Sequence, residues 1–273
     1  MKRPLATVAV NGALLGLALL SVAPLAWMLS MSLMSAGEAS TYPPPLVPAH
    51  PTLAHFRQLL SAGGIGRAFA NSLGLALAAT IVSTLFNTLA GYAFAKLRFA
   101  GRDRLFALLI AALVIPGQVA VLPLFLMLKG MGLVNTYAGV LVPAMAGIFG
   151  IFLVRQYVRG IPDELIEAAR LDGAGEWRVF AFVVLPLLRP LLVTLALFAF
   201  LGSWNDFMWP LVVLTDGDLQ TLPVALASLS REHVQDSELM MAGAVITVLP
   251  VLLLFLALQR HYLQGLMMGG VKQ

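Results

Sequence analysis

Six stretches of roughly twenty or more residues are almost free of charge, and few folds tolerate that pattern. They cover residues 5–34, 71–95, 105–128, 137–154, 191–214 and 239–258. A spanning helix needs about 20 mostly apolar residues to cross the hydrocarbon of a bilayer. A soluble domain needs charged side chains on its surface, about 25% of the total. Here they make up 11% of 273 residues, and the mean hydropathy is +0.91. The chain reads as an all-α membrane protein with six transmembrane helices. The first run follows Met1-Lys2-Arg3. At about 30 residues it far exceeds the 7–15-residue apolar region of a cleaved signal, so a retained anchor is expected. With no cysteines, disulfides and thiolate metal sites are excluded.

An even number of spans puts both termini on one side, and the basic residues say which. With the termini inside, thirteen of the 17 basic residues are internal: Lys2, Arg3, Lys96, Arg98, Arg102, Arg104, Arg155, Arg159, Arg170, Arg178, Arg189, Arg260 and Lys272. Only Arg57, Arg67, Lys129 and Arg231 fall outside. Cationic loops resist translocation, so both ends are expected in the cytoplasm. The net charge of +4 therefore reports orientation rather than nucleic-acid binding.

The loops differ in character. The first external one, from Ser35 to Arg67, contains Tyr42-Pro43-Pro44-Pro45 and Pro48-Ala49-His50-Pro51 and reads as a stiff strap. The basic loop from Lys96 to Arg104 reads as charge anchoring at lipid headgroups. Within the third span, Pro116-Gly117 and Pro123 disturb helical bonding, which membranes tolerate where neighbours or a cavity satisfy the backbone.

The polar island between the fourth and fifth spans is the most specific segment. A helix is expected over 162–171: Pro162 suits its start, Asp163 and Glu164 its first turn, and Arg170 its last. Gly173 stands where a left-handed terminating residue is needed. Leu165, Ala168, Ala169 and Asp172 share one helical stripe, with Glu167 beside the alanines. A second helix, over 175–185, carries Trp177, Phe180 and Phe182 before Pro186. Surface helices that lie on lipid are rich in Lys and Arg. This one has Asp163, Glu164, Glu167 and Asp172 against Arg170 alone, which fits a protein dock better than a bilayer.

The run Glu167-Ala168-Ala169, three residues, Gly173, nine residues, Val183, one residue, Leu185-Pro186 resembles the cytoplasmic loop signature of permease subunits of ATP-binding-cassette (ABC) importers. Similarity extends over nearly the whole chain and narrows to the carbohydrate-uptake branch, of the maltose and glycerol-phosphate type. It includes Ile115-Pro116-Gly117-Gln118, Gly132-Leu133-Val134-Asn135-Thr136-Tyr137, Trp204-Asn205-Asp206-Phe207 and the tail Gly265 to Lys272. Departures are Ala100, Val183 in place of isoleucine, and the terminal Gln273. The resemblance implies a type I ABC importer (MetI-like) permease fold with a cytoplasmic coupling helix. It divides the chain into an N-terminal helix and proline-rich loop (1–66), a permease core (67–258) with a coupling loop at 159–186, and a cytoplasmic tail (259–273).

It also implies partners: a second permease, an ABC ATPase dimer and an extracytoplasmic solute-binding protein in a bacterial or archaeal inner membrane. Glu167, Ala168, Ala169, Asp172, Gly173, Leu185 and Pro186 are then the ATPase-coupling residues. No G-x-x-x-x-G-K-[ST] phosphate cradle occurs. The chain is expected to be no enzyme and to bind no cofactor, with ATP and magnesium held by the partner ATPase.

Asp206 is the only acid expected inside a span. If the fifth helix begins near Leu187, Asp206 is about 28 Å along it, close to the outer face. Trp204, Asn205 and Asp206 have the chemistry to face a permeating solute; they equally suit an interfacial belt and a helix end. The four histidines are scattered without ligand spacing, so no metal site is expected, and the 12 methionines read as packing filler. The competing function is an ion-coupled secondary transporter, which needs ionisable groups at mid-membrane. The span interiors lack them apart from Asp206.

Overall fold

The computed structural model describes residues 3–62, 64–232 and 236–270, and among these no strand occurs. Two compact units form: Met1–Arg67 with Ala225–Leu252, and Ala68–Val224 with Leu253–Gln273.

Helix α1 (Arg3–Ser32) leaves Val8, Leu14 and Leu20 exposed, an apolar surface suited to lipid rather than water. The strap after it is held by its own polar groups. The Glu38 carboxylate accepts the N–H groups of Ser35 and Ala49, and the Ser30 hydroxyl donates to the carbonyl of Leu46. The bonds from Ala49 and then Ser35 hold the Glu38 carboxyl below its usual range. The external loop also contains a short helix, α2 (Ala54–Ala62), absent from the sequence expectation. It is fastened where His55 Nε2 meets the Met34 carbonyl at 3.1 Å.

Helix α3 (Ile65–Lys96) is continuous over 32 residues. The third span is not. Helix α4 (Arg102–Ala112) breaks at Pro116, and after a 3₁₀ turn at Gly117–Ala120 the chain resumes as α5 (Val121–Gly130), bent by 99°. Pro116 has φ −59° and ψ 129° there, outside the helical region, and its missing N–H cannot continue the hydrogen-bond ladder of α4. Pro123 costs nothing, because it sits in the first turn of α5, where N–H groups have no intrahelical partner.

The fourth span is likewise split, into α6 (Tyr137–Ala144) and α7 (Ile148–Arg159). The polar island forms α8 (Asp163–Leu171) and α9 (Glu176–Arg178), then a π-helical stretch Val179–Val184 and α10 (Leu185–Leu187). An 82° bend leads into α11 (Arg189–Trp204). The expected helix over 175–185 is therefore three short pieces. Pro186 cannot donate to the preceding turn, and the wider π winding just before it takes up that misfit.

Helix α11 ends at Trp204 rather than running to 214. Residues after it make a separate short helix, α12 (Met208–Val213), packed on α5 and α6. Helix α13 (Leu222–Glu232) precedes α14 (Ser237–Gly270), which continues through most of the expected tail. Lys272 and Gln273, at the end of that tail, and His233 lie outside the described residues. Counting each bent pair as one span gives six membrane crossings; four helices qualify without that pairing.

Candidate functional site

The polar hairpin is built by local rules. Pro162 is extended and immediately precedes α8, one position earlier than expected. At the other end Gly173 has φ +83°, donates to the Arg170 carbonyl, and lets the Ala174 N–H reach the Ala169 carbonyl at 3.0 Å. That bond pair is a Schellman closure, and it needs a residue without Cβ strain at 173. Nothing lies within 4 Å of where a Gly173 Cβ would sit, so backbone geometry alone selects glycine.

Its underside is fixed to the membrane helices. Ile166, 2% exposed, enters a core cluster with Tyr92, Val154, Val158, Phe180, Val184 and Leu188. Gly91 permits that core to close, because a Cβ there would overlap Val154 of α7. Polar tethers surround the cluster. Lys96 Nζ donates at 2.6 Å both to the Ile161 carbonyl and to Asp163 Oδ1. Glu176 accepts from Tyr92 Oη at 3.0 Å and from Arg170 Nε at 2.8 Å. The hydrogen bond from Lys96 holds the Asp163 carboxyl below its usual range, and the one to Glu176 raises Arg170 further above its own.

This corrects two sequence expectations. Lys96 is not a free headgroup anchor: its side chain is 7% exposed and engaged within the protein. Arg155 similarly lies 3.8 Å over the Phe106 ring. The stripe of Leu165, Ala168, Ala169 and Asp172 is also split. Ala169 turns toward the core beside Ile166, while Leu165, Ala168 and Asp172 face outward. Glu167 and Leu171 are exposed with them, as is Trp177 of α9. Leu185 is half-buried against the same core and Pro186 is exposed. Lys96, Ile166, Tyr92 and Glu176 were missed as anchors, because their partners lie far away in sequence.

Elsewhere in the same unit, helix breaks are mended by remote side chains. Pro143 has no N–H for the Gly139 carbonyl, and Trp209 Nε1 supplies the donor at 3.1 Å. The break before α7 frees the Gly147 N–H, which Asn87 Oδ1 accepts at 2.9 Å. Asn87 Nδ2 in turn donates to Ser83. Asn135, at φ +60°, accepts the N–H groups of Thr215 and Asp216 and so ties down the end of α12. Tyr137 donates to Asn71, which donates to the carbonyls of Asp218 and Gln220.

The three candidate path residues separate here. Trp204 is 1% exposed, stacked on Phe200 and edge-on to Phe69, so it belongs to the core. Asn205 is exposed at the end of α11. Asp206 accepts the Trp209 N–H at 3.3 Å and borders a cavity of about 520 Å³ that Trp209 also lines. Among the described residues, no three His, Asp or Glu side chains gather to hold a metal.

Broken apolar helices, a rigidly held polar hairpin and a cavity beside the breaks define a multi-pass membrane transport subunit. The sequence profile described as "Binding-protein-dependent transport system inner membrane component" matches residues 87–267, and the chain belongs to that family. It is similar to the arabinooligosaccharides transport system permease protein AraQ of Halalkalibacterium halodurans, 41% identical over 204 residues, 75% of this chain and 73% of that one. The lactose transport system permease protein LacG of Rhizobium radiobacter is 35% identical over 204 residues, 75% of this chain and 74% of LacG. A bacterial ABC transporter involved in the import of the acidic polysaccharide alginate shares the fold, with a TM-score of 0.82 at 24% identity. That match covers 95% of this chain and 98% of the other.

Proposed function

We propose that this chain is the membrane-spanning permease subunit of an ATP-driven importer for a sugar or a related polyol or glycoside, and that α8 is its coupling helix. The observation that carries the coupling role is the division of α8 into two faces. Ile166 and Ala169 lock it to the spans, while Leu165, Glu167, Ala168 and Asp172 are exposed on the other side. A permease without a nucleotide cradle must receive its free energy through contact, and ATP can shift its conformation only through contacts that differ between states. Glu167 and Asp172 would pair with cations of the ATPase, and Ala168 permits close approach. Gly173, Leu185 and Pro186 set the angle at which the hairpin meets the spans.

The working unit then contains a second permease, an ATPase dimer that holds ATP and magnesium, and an extracytoplasmic binding protein. The excess of basic residues on the hairpin side supports a cytoplasmic position for α8 and both termini. The names of the relatives support an oligosaccharide or glycoside as solute.

Because the chain has no cysteine, Ala168→Cys introduces a unique thiol. In right-side-out vesicles it should cross-link to the ATPase and resist a membrane-impermeant maleimide added outside. Glu167→Lys should abolish uptake while the complex still assembles. Labelling from outside, or full uptake by the lysine variant, would refute the coupling role.

A further inference from the structure

We propose that the joint between α3 and α4, residues 97–104, is a binding site for one anionic phospholipid. Its phosphate lies between Arg98 and Arg104, and its acyl chains run along α4. The site rests on the chain's membership of a membrane transport family and is independent of the solute and of the coupling role of α8.

The joint borders a cavity of about 550 Å³ with Arg98, Arg102 and Arg104 and with one carboxylate, Asp103. That carboxylate is already taken. Arg102 Nε donates to it at 3.1 Å, and Arg155 Nη2 of α7 stands 3.9 Å away. Among the described residues, no hydrogen bond or ion pair engages Arg98 or Arg104. Asp163, the hairpin acid that feels Arg98, is itself bonded by Lys96. Arg98 and Arg104 thus leave positive charge on one space, and a phosphodiester answers both with charge-assisted hydrogen bonds. A zwitterionic headgroup brings an ammonium that the same pair repels.

The joint is shaped before any lipid arrives. Arg102 Nη1 donates to the Leu97 carbonyl at 3.3 Å, and Gly101 turns the chain at φ +80°. The Phe99 ring packs on Phe94, which packs on Phe106 of α4. The backbone between Arg98 and Arg104 is therefore pinned at several points.

The surface next to it distinguishes a lipid from a free anion. Arg104 is exposed in the first turn of α4, and Leu105 and Leu108 beyond it are 50% and 67% exposed. Leu108 lies one turn from Arg104 on the same face, about 6 Å further along the helix. Cationic groups at the head of a helix and an apolar strip below them match the two halves of an anionic lipid. Inorganic phosphate would use only the first half.

To test the site, the complete importer is placed in phosphatidylcholine nanodiscs with phosphatidylglycerol that carries a diazirine near the top of one acyl chain. After irradiation, adducts are mapped by peptide mass spectrometry and should fall on residues 99–108. An excess of plain phosphatidylglycerol should suppress them about fivefold or more, whereas about 10 mM phosphate should not. Arg98→Gln with Arg104→Gln should lower the yield about fivefold, and Arg98→Lys with Arg104→Lys, which keeps the charge, should stay within about twofold of wild type. Equal loss in both pairs overturns the site, because packing rather than charge would then be at work. Equal labelling by a phosphatidylcholine probe, or competition by phosphate, also overturns it. So does an absence of adducts in this region, which would mean that an acidic surface of a partner subunit covers the arginines instead. Uptake is not the readout, so each of these results leaves the importer reading standing.

Discussion

Helix α8 and helix α7 are terminated by different means. At Gly173 the chain closes α8 with its own neighbours, through bonds three and five residues long. At Gly147 the first free N–H of α7 is met by Asn87, sixty positions earlier, and the Gly139 carbonyl freed by Pro143 is met by Trp209, seventy positions later. The difference follows from solvent. A frayed end in the hairpin can turn to water, so local closure suffices. A frayed end in the spans has no water to turn to, and only a side chain delivered by another helix relieves it.

If that contrast is right, substitutions at remote caps should cost most. Asn87→Leu strips the acceptor from Gly147 and should destabilise the protein by about 2–3 kcal/mol, read as thermal unfolding in detergent. Lys96→Met, between the two environments, removes two bonds from a side chain that is almost wholly covered and should cost about 1–2 kcal/mol. Its effect should also appear as faster proteolysis of the hairpin.

Gly173→Ala should cost about 1 kcal/mol, since the surroundings are open and only the left-handed backbone resists it. Gly173→Asn should cost less, because asparagine tolerates that conformation. The smallest effect belongs to Asp163. Its carboxyl is held low in the folded state, so whatever it contributes is present above the ordinary carboxylate value of about 3.9 and fades only as pH falls through the depressed one. The small loss on Asp163→Asn should therefore appear near neutrality and vanish in strong acid, where the wild-type carboxyl is protonated as well. A difference between the two proteins that persisted unchanged into strong acid would show that the carboxylate's charge is not its source.

The same contrast explains what could be read from the residues alone. The hairpin's ends at Pro162 and Gly173 were legible because each is a local rule about backbone dihedrals. The break at Pro116 was legible for the same reason. The inward face of α8 was not, because Leu165 and Ile166 are both apolar neighbours and only the position of the core, set by α3 and α7, chooses Ile166. Trp204 and Trp209 could not be told apart either. Both stand in segments apolar on every side, where hydropathy has no period to report direction. What separates them is the end of α11 at residue 204, after which the chain turns and carries Trp209 to Gly139.

One consequence of the core around Ile166 concerns stiffness. Ile166 of α8, Tyr92 of α3, Val154 of α7 and Leu195 of α11 belong to a single packed cluster. Protein interiors of this kind are dense and scarcely compressible. A tilt imposed on the hairpin from beneath has no cushion in which to dissipate. Three rods must swing along with it.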